Sequence, residues 1–176
     1  MISQFQPTLR FSSLLVRPLL KEDFDALFEA ASDPLIWVDH PNPERYKKEV
    51  FTNFFHGALE SGGAFVIENS TTGEVLGSTR FYDYDTEDSS VFIGYTFYKR
   101  SAWGKGVNPQ VKRMMLSHAF KWVDKVKFHV GKFNHRSVVA MTRLGAKVHQ
   151  ELEVAYHGEA PKINLEFWIE KKNFDL

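Results

Sequence analysis

Two short stretches of the chain carry residue types from which a ligand site can be built. In WGKGVNP, Trp103 to Pro109, Gly104 and Gly106 bracket Lys105 just after the strand-like run VFIGYTF at Val91 to Phe97 and just before an amphipathic, helix-periodic stretch. Glycines in such a place let the backbone approach a ligand and take dihedrals that other residues avoid. Asn108 is a good N-cap residue and Pro109 suits the first helical position, so the pattern predicts a helix starting here with its unpaired N–H groups facing the loop. An anion at that terminus gains about 0.3–1 kcal/mol when exposed and up to ~2 kcal/mol when partly buried. A pyrophosphate fits that description. The second stretch, NHRSVVAMTRLGA from Asn134 to Ala146, sets Asn134 and Ser137 in an Asn-x-x-Ser spacing at the head of another helix.

Two common phosphate loops do not fit the same residues. A nucleotide P-loop needs Gly five positions before Gly104 and Ser or Thr after Lys105, where Lys99 and Gly106 stand. The dinucleotide fingerprint needs Gly at Pro109. Taken alone, Gly-Lys-Gly reads as a surface turn into a helix.

The elements that must position these residues follow from periodicity. Leu14 to Arg17 reads as a short strand and Lys21 to Ala31 as a helix with Phe24, Leu27 and Phe28 on one face, ended by Asp33-Pro34. From Pro43 to Leu59 apolar residues recur at three- and four-residue steps, a helical stripe closed by Ser61-Gly62-Gly63. AFVIEN at Ala64 to Asn69 and VLGSTRFY at Val75 to Tyr82 flank a glycine-containing turn and read as a hairpin. A helix from Pro109 to about Trp122, with Val111, Met114, Met115, His118 and Trp122 on one side, leads to the strand VKFHV at Val126 to Val130, which delivers Asn134. Asn134 also serves as N-cap for a helix from about Arg136 to Leu144 that ends at Gly145. Two closing strands, about Lys147 to Val154 and Asn164 to Glu170, flank the loop HGEAPK. The order predicts one α/β domain over residues 1–176, with a mostly antiparallel sheet and one parallel crossover between Val91 and Val130.

Composition narrows the function classes. At 176 residues, 43% of them hydrophobic, the chain can bury a real core. Lys plus Arg (22) equals Asp plus Glu (22), so no basic excess suggests a nucleic-acid partner. The absence of cysteine removes disulfides, thiol catalysis and thiolate metal sites. The seven histidines include no HxxxH or HExxH pair, and His129 and His135 straddle a strand end and a helix start, so no metal is expected. With no long apolar run and no signal-like N-terminus, the expectation is a cytoplasmic enzyme with no membrane partner.

The two motifs together resemble those of the GCN5-related N-acetyltransferases (GNAT superfamily), in particular the branch containing the ribosomal-protein N-terminal acetyltransferases, over nearly the whole chain. The resemblance implies a GNAT-like mixed sheet whose crossover strands splay apart, with the pantetheine of acetyl-CoA between their open edges. It implies that Trp103, Gly104, Lys105, Gly106, Val107 and Asn108 hold the pyrophosphate. Asn134 then falls on the pantetheine side, and a backbone N–H near Thr96, Phe97 or Tyr98 becomes the oxyanion donor. Ser137 is carried over as the acid for the departing thiolate, because Met141 stands at the position where many members carry Tyr; Phe92 stands where relatives often place Glu, and Trp103 where Gln or Arg is usual. Ser137 has a second reading as a residue satisfying backbone at the helix start.

Acetyl transfer to an amine requires a neutral nucleophile, an oxyanion donor and an acid. A lysine-like amine (pKa about 10.4) costs about 3 kcal/mol more to deprotonate at neutral pH than an α-amino group (about 7.7–8.0). In the loop between the first two helices, Trp37, Asp39 and His40 occupy the region lining the acceptor side in relatives, and His40 is the candidate base; Asp83 and Asp85 are comparable candidates, and an ordinary surface role for His40 stays open. The implied activity is transfer of an acetyl group from acetyl-CoA to a protein N-terminal α-amino group or a small amine, by a monomer or homodimer. The alternatives are a noncatalytic acyl-CoA binding or sensing module and an interaction domain with a purely structural glycine loop.

Overall fold

The computed structural model describes residues 5–155 and 160–174. Eight strands form one sheet: β1 (Leu9–Phe11), β2 (Leu14–Pro18), β3 (Ala64–Asn69), β4 (Val75–Asp85), β5 (Ser90–Tyr98), β6 (Lys125–Gly131), β7 (Lys147–Val154) and β8 (Lys162–Glu170). Four helices accompany them, α1 (Phe24–Ala31), α2 (Lys48–Ser61), α3 (Val107–Ala119) and α4 (His135–Arg143). The spatial order is β1-β2-β3-β4-β5-β6-β8-β7, with every neighbouring pair antiparallel except β5 and β6, which are parallel. This is the mixed, mostly antiparallel arrangement expected from the sequence.

Both faces of the sheet are covered, and β3 displays how its alternation divides them. Phe65 and Ile67 enter a core with Val111, Met115, Leu116 and Ala119 of α3. Ala64 and Val66 enter the opposite core, with Leu27 of α1 and Phe51, Phe55 and Ala58 of α2. Strands β4 and β5 stay close because Gly77 has no side chain: a Cβ there would lie 2.0 Å from the Phe97 carbonyl oxygen across the ladder.

Several boundaries depart from the sequence reading. Strand β1 was not anticipated; it is three residues long and pairs only with β2. The second helix begins at Lys48, five residues after Pro43, because the chain between them turns, with Lys47 donating to Glu44. Helix α3 begins at Val107, with Gly106 as N-cap in the left-handed region (φ 73°), so Asn108 and Pro109 lie inside its first turn instead of at its boundary. It ends at Ala119, and Trp122 is 51% exposed instead of lying on the buried face. His157, Gly158 and Glu159 of the closing loop lie outside the described residues.

The feature that creates a site is the short parallel pairing. Only Ser90, Val91 and Phe92 of β5 are in register with Lys125, Val126 and Lys127 of β6, after which the strands part. On its other side β5 remains paired with β4, but the register slips between Ser78↔Phe97 and Arg80↔Gly94, so Tyr95 and Thr96 together oppose Thr79. Tyr95 takes φ 52°, an uncommon value for a bulky residue that marks a strained bulge.

Candidate active site

A cavity of about 500 Å³ opens where β5 and β6 diverge. Ile93 to Tyr98 line one wall and Phe128 to Gly131 the other, and the start of α3 and the first turns of α4 close the ends. Beyond Phe92 and Lys127 the facing edges no longer pair with each other. Backbone polar groups in such a gap need partners from another source. An extended ligand bearing amide groups would supply them.

At one end, Gly104 (φ 71°) and Gly106 (φ 73°) both take left-handed dihedrals. No atom stands within 4 Å of where a Cβ of Gly104 would be, and the nearest to that of Gly106 is the Gln110 amide at 3.5 Å. Backbone conformation, more than crowding, therefore demands glycine in this loop. Their turn aims the first amides of α3 at the cavity end, the geometry an anion uses. Trp103 braces the loop: its indole N–H donates to the Tyr98 carbonyl at 3.0 Å, and the Arg136 guanidinium lies 3.8 Å over its ring. The Tyr98 hydroxyl donates to Asn108 Oδ1 at 3.2 Å, and burial pushes that phenol well above its ordinary range, so it remains a donor.

Helix α4 starts as its sequence suggested. Asn134 is 5% exposed and its Oδ1 accepts from the Ser137 N–H at 3.1 Å; it is the N-cap expected, and the helix begins at His135, one residue earlier than expected. Ser137 lines the cavity, and among the described residues its hydroxyl makes no hydrogen bond, leaving it directed to no protein partner. Met141, two turns into α4, is buried and presents an apolar wall.

Of the residues singled out from sequence, His40, Thr96, Phe97, Tyr98, Trp103, Gly104, Gly106, Val107, Asn108, Asn134 and Ser137 line this one cavity. Lys105 does not, and its side chain is exposed. Asp83 and Asp85 lie away from it, at the β4–β5 turn, where Asp85 Oδ1 accepts from the N–H groups of Glu87 and Asp88. Neither lines the cavity.

His40 reaches the cavity but not in the form a base requires. Burial, together with the charges of Arg45 and Arg136, holds its imidazole down to about 3. It is a neutral hydrogen-bonding group near pH 7, with too little proton affinity to deprotonate an ammonium. Its ring packs edge-on to Trp37, centroids 4.9 Å apart.

Three lining groups escaped the sequence reading. Arg45 is buried, its guanidinium 4.9 Å from the Phe54 ring centroid, in the segment misassigned to helix. Arg143 closes the α4 side. Lys112 is only 3% exposed, and its ammonium donates to Thr96 Oγ1 at 2.7 Å and Thr79 Oγ1 at 3.3 Å. A lysine three and four residues before the apolar Met115 and Leu116 was the available clue. Among the described residues, the lining holds Arg45, Lys112, Arg136 and Arg143 but no Asp or Glu.

The sheet with its single splayed parallel pair, and a glycine-turned helix start opening into the gap, is the arrangement of an acyl-CoA-dependent transferase. A model of the acetyltransferase (GNAT) domain matches residues 13–147, and the chain belongs to that family. A GCN5-related N-acetyltransferase from Brucella melitensis superposes with a TM-score of 0.83 at 14% identity, covering 96% of this chain and 80% of that one. Mycobacterium smegmatis RimJ, in complex with CoA-disulfide, gives 0.73 at 18% identity, over 97% and 88% of the two chains. Spermidine N-acetyltransferase from Vibrio cholerae, in complex with CoA and spermine, gives 0.71 at 15% identity, over 93% and 98%. At such identities the likeness establishes the fold. No curated protein matches the sequence. Among the described residues no cluster of ligating side chains could hold a metal ion, and no helix is long and apolar enough to cross a membrane.

Proposed function

We propose that this protein transfers an acetyl group from acetyl-CoA to an amine acceptor, a protein N-terminal α-amino group or a small amine. The observation that carries the reading is the meeting of the split β5–β6 edge and the Gly104–Gly106 turn on one cavity. The backbone of Gly104, Gly106 and Val107 would hold the pyrophosphate, with Trp103, Lys105 and Asn108 framing that loop. The open edge of β5 and Asn134 would hold the pantetheine. Bound there, acetyl-CoA supplies the activated acyl group. The Tyr95 bulge re-aims backbone N–H groups of Thr96, Phe97 or Tyr98, which suits them to stabilise the developing oxyanion. Ser137, whose hydroxyl is uncommitted to protein partners, is positioned to give a proton to the leaving sulfur.

The choice of acceptor rests on electrostatics. With His40 neutral and Asp83 and Asp85 distant, the cavity offers no strong base, so the amine should arrive already partly neutral. A lining of cationic side chains without carboxylates also disfavours a polycationic acceptor. The test is acetylation of matched peptides from about pH 6.5 to 9, one with a free N-terminus and no lysine, one N-terminally blocked with an internal lysine. Preference for the blocked peptide overturns the α-amino reading; activity on neither redirects it to a small-molecule amine.

The same sparse acid–base equipment, with Met141 buried at the cavity wall, favours one second reading, a noncatalytic acyl-CoA sensor. Thiol release from acetyl-CoA in the presence of an amine panel separates the two.

A further inference from the structure

Lys112 has no role in the scheme above, yet its placement is costly. Its amine is enclosed by the Thr96 and Thr79 hydroxyls and the Phe128 ring, whose centroid lies 6.0 Å away, and among the described residues it forms no ion pair. The titratable and charged groups on surrounding elements are otherwise engaged or directed elsewhere. Tyr98 on β5 donates to Asn108, His129 on β6 pairs with Glu166 on β8, and Arg136 on α4 stacks on Trp103. A charged side chain enclosed without a counter-ion is rarely retained for stability alone. Methionine or leucine would fill the same space at less cost.

Thr96 explains what such a charge could reach. It is one of the two residues of the bulge, its hydroxyl contacts Thr79 at 2.9 Å, and it lines the cavity beside Lys112. The ammonium on α3 is therefore linked through one hydroxyl to the point where β5 is bent toward the gap. That is the acyl end, because the Gly104–Gly106 turn occupies the other.

We propose that Lys112, acting through the Thr96 hydroxyl, is a positioning residue that holds positive charge behind the β5 bulge, where the acyl oxygen gains negative charge as the amine adds. This rests on the acetyl-transfer reading. As the acceptor nitrogen bonds to the acyl carbon, the carbonyl pair moves onto oxygen. It returns as the sulfur leaves with the C–S bonding pair and takes the Ser137 proton, while Lys112 keeps its own proton and donates to Thr96 Oγ1 at 2.7 Å. The proton lost by the acceptor nitrogen passes to solvent, from which Ser137 is restored, so the exchange balances without another reactant. Burial holds the Lys112 amine down to about 7, so both of its forms are accessible near neutral pH.

The experiment compares wild type, K112M, K112R and T96V by CoA titration and by kcat across pH. K112M should bind CoA within about threefold of wild type and lose on the order of 10²-fold in kcat, the lower end for removal of one oxyanion-stabilising group. T96V should lose a similar factor. Wild-type kcat should fall at alkaline pH as Lys112 deprotonates, and K112R, which keeps its charge, should recover part of the rate and lose that alkaline fall. A K112M enzyme with wild-type kcat and pH profile overturns the proposal, as does K112R equal to K112M with the alkaline limb unchanged in both. If K112M does not fold, T96V and K112R carry the test, and an unaltered alkaline limb in both defeats it. Wild type that binds no CoA defeats the underlying reading instead, a result distinguishable from any pattern among the variants.

Discussion

The guanidinium of Arg136 lies 3.8 Å over the indole of Trp103, joining the first turn of α4 to the loop before α3. Because the same indole donates to the Tyr98 carbonyl, one side chain connects the end of β5 with both helices whose starts face the cavity.

Removing that brace should loosen CoA binding without unfolding the protein. A stacked cation contributes about 0.5–2 kcal/mol and the indole hydrogen bond about 0.5–1.5 kcal/mol, so Trp103→Ala should weaken CoA affinity by about 10-fold or more by titration calorimetry. Trp103→Phe, which keeps the stack and loses the N–H, should fall between. Equal affinity in all three proteins would show that the brace does not support the ligand loop.

Gly106→Val should reduce CoA affinity at least about 10-fold, because a β-branched residue resists φ 73° and its side chain would project beside the amides that open α3. Circular dichroism should still report a folded protein. Unchanged affinity in that folded variant would remove the pyrophosphate assignment from this loop.

The two roles of the Asn134–Ser137 contact can be separated. Asn134→Ala removes a helix cap and should cost about 0.5–2 kcal/mol in urea unfolding. Ser137→Ala leaves the cap acceptor in place and should lower kcat more than CoA affinity, since a leaving-group acid acts mainly in the transition state. Parallel losses in both quantities, or none, argue against Ser137 as the acid.

Acidification should expose the His40 arrangement. The folded imidazole is held to about 3 against an ordinary 6.5, so the unfolded chain takes up a proton first. Its stabilising contribution is whole above about 6.5 and declines as the pH falls toward 3. Between about pH 6.5 and 5, before most carboxylates titrate, His40→Gln should show a flatter dependence of urea midpoint on pH than wild type. Identical slopes would mean that His40 is hydrated in solution.

Lys112 should act in the same sense at higher pH. With its folded value near 7 against an ordinary 10.5, the unfolded chain alone binds the proton between those limits, so wild-type stability should rise with pH across that window. The slope is at most about 1.4 kcal/mol per pH unit. K112M should be the more stable protein at pH 7, and its advantage should shrink toward pH 10.5. A pH-independent difference in unfolding free energy would contradict the burial of a titrating amine.

Elements whose burial is written in consecutive apolar residues were legible in the chain. AFVIEN, VLGSTRFY, VFIGYTF and VKFHV each became a strand, and the glycine and asparagine motifs fell on one cavity because both follow the diverging strands. What was missed depends on distant partners. β1 exists only through pairing with β2, and Lys112 is buried only because two threonine hydroxyls from β4 and β5 receive it. Residues 43–47 carry a helical stripe yet turn, placing Arg45 among Trp37 and Phe54. Asn108 had the chemistry of a cap, but Gly106, free to adopt the left-handed cap conformation, starts the helix two residues sooner.

The cavity lining, four cationic side chains with no carboxylate among the described residues, belongs to a chain whose formal charges cancel. The compensating negative charge must lie elsewhere, and Asp83, Asp85 and Glu87 gather near the β4–β5 turn, where Asp88 is paired with Lys125 and Lys127. A molecule neutral by count is thus polarised in space. A phosphate-rich ligand would be drawn to the open mouth over distances comparable to the Debye length, about 8 Å in physiological salt, before any hydrogen bond forms. Capture of such a ligand should accordingly slow as ionic strength rises, while its escape, governed by the loop and the strand edges, changes little.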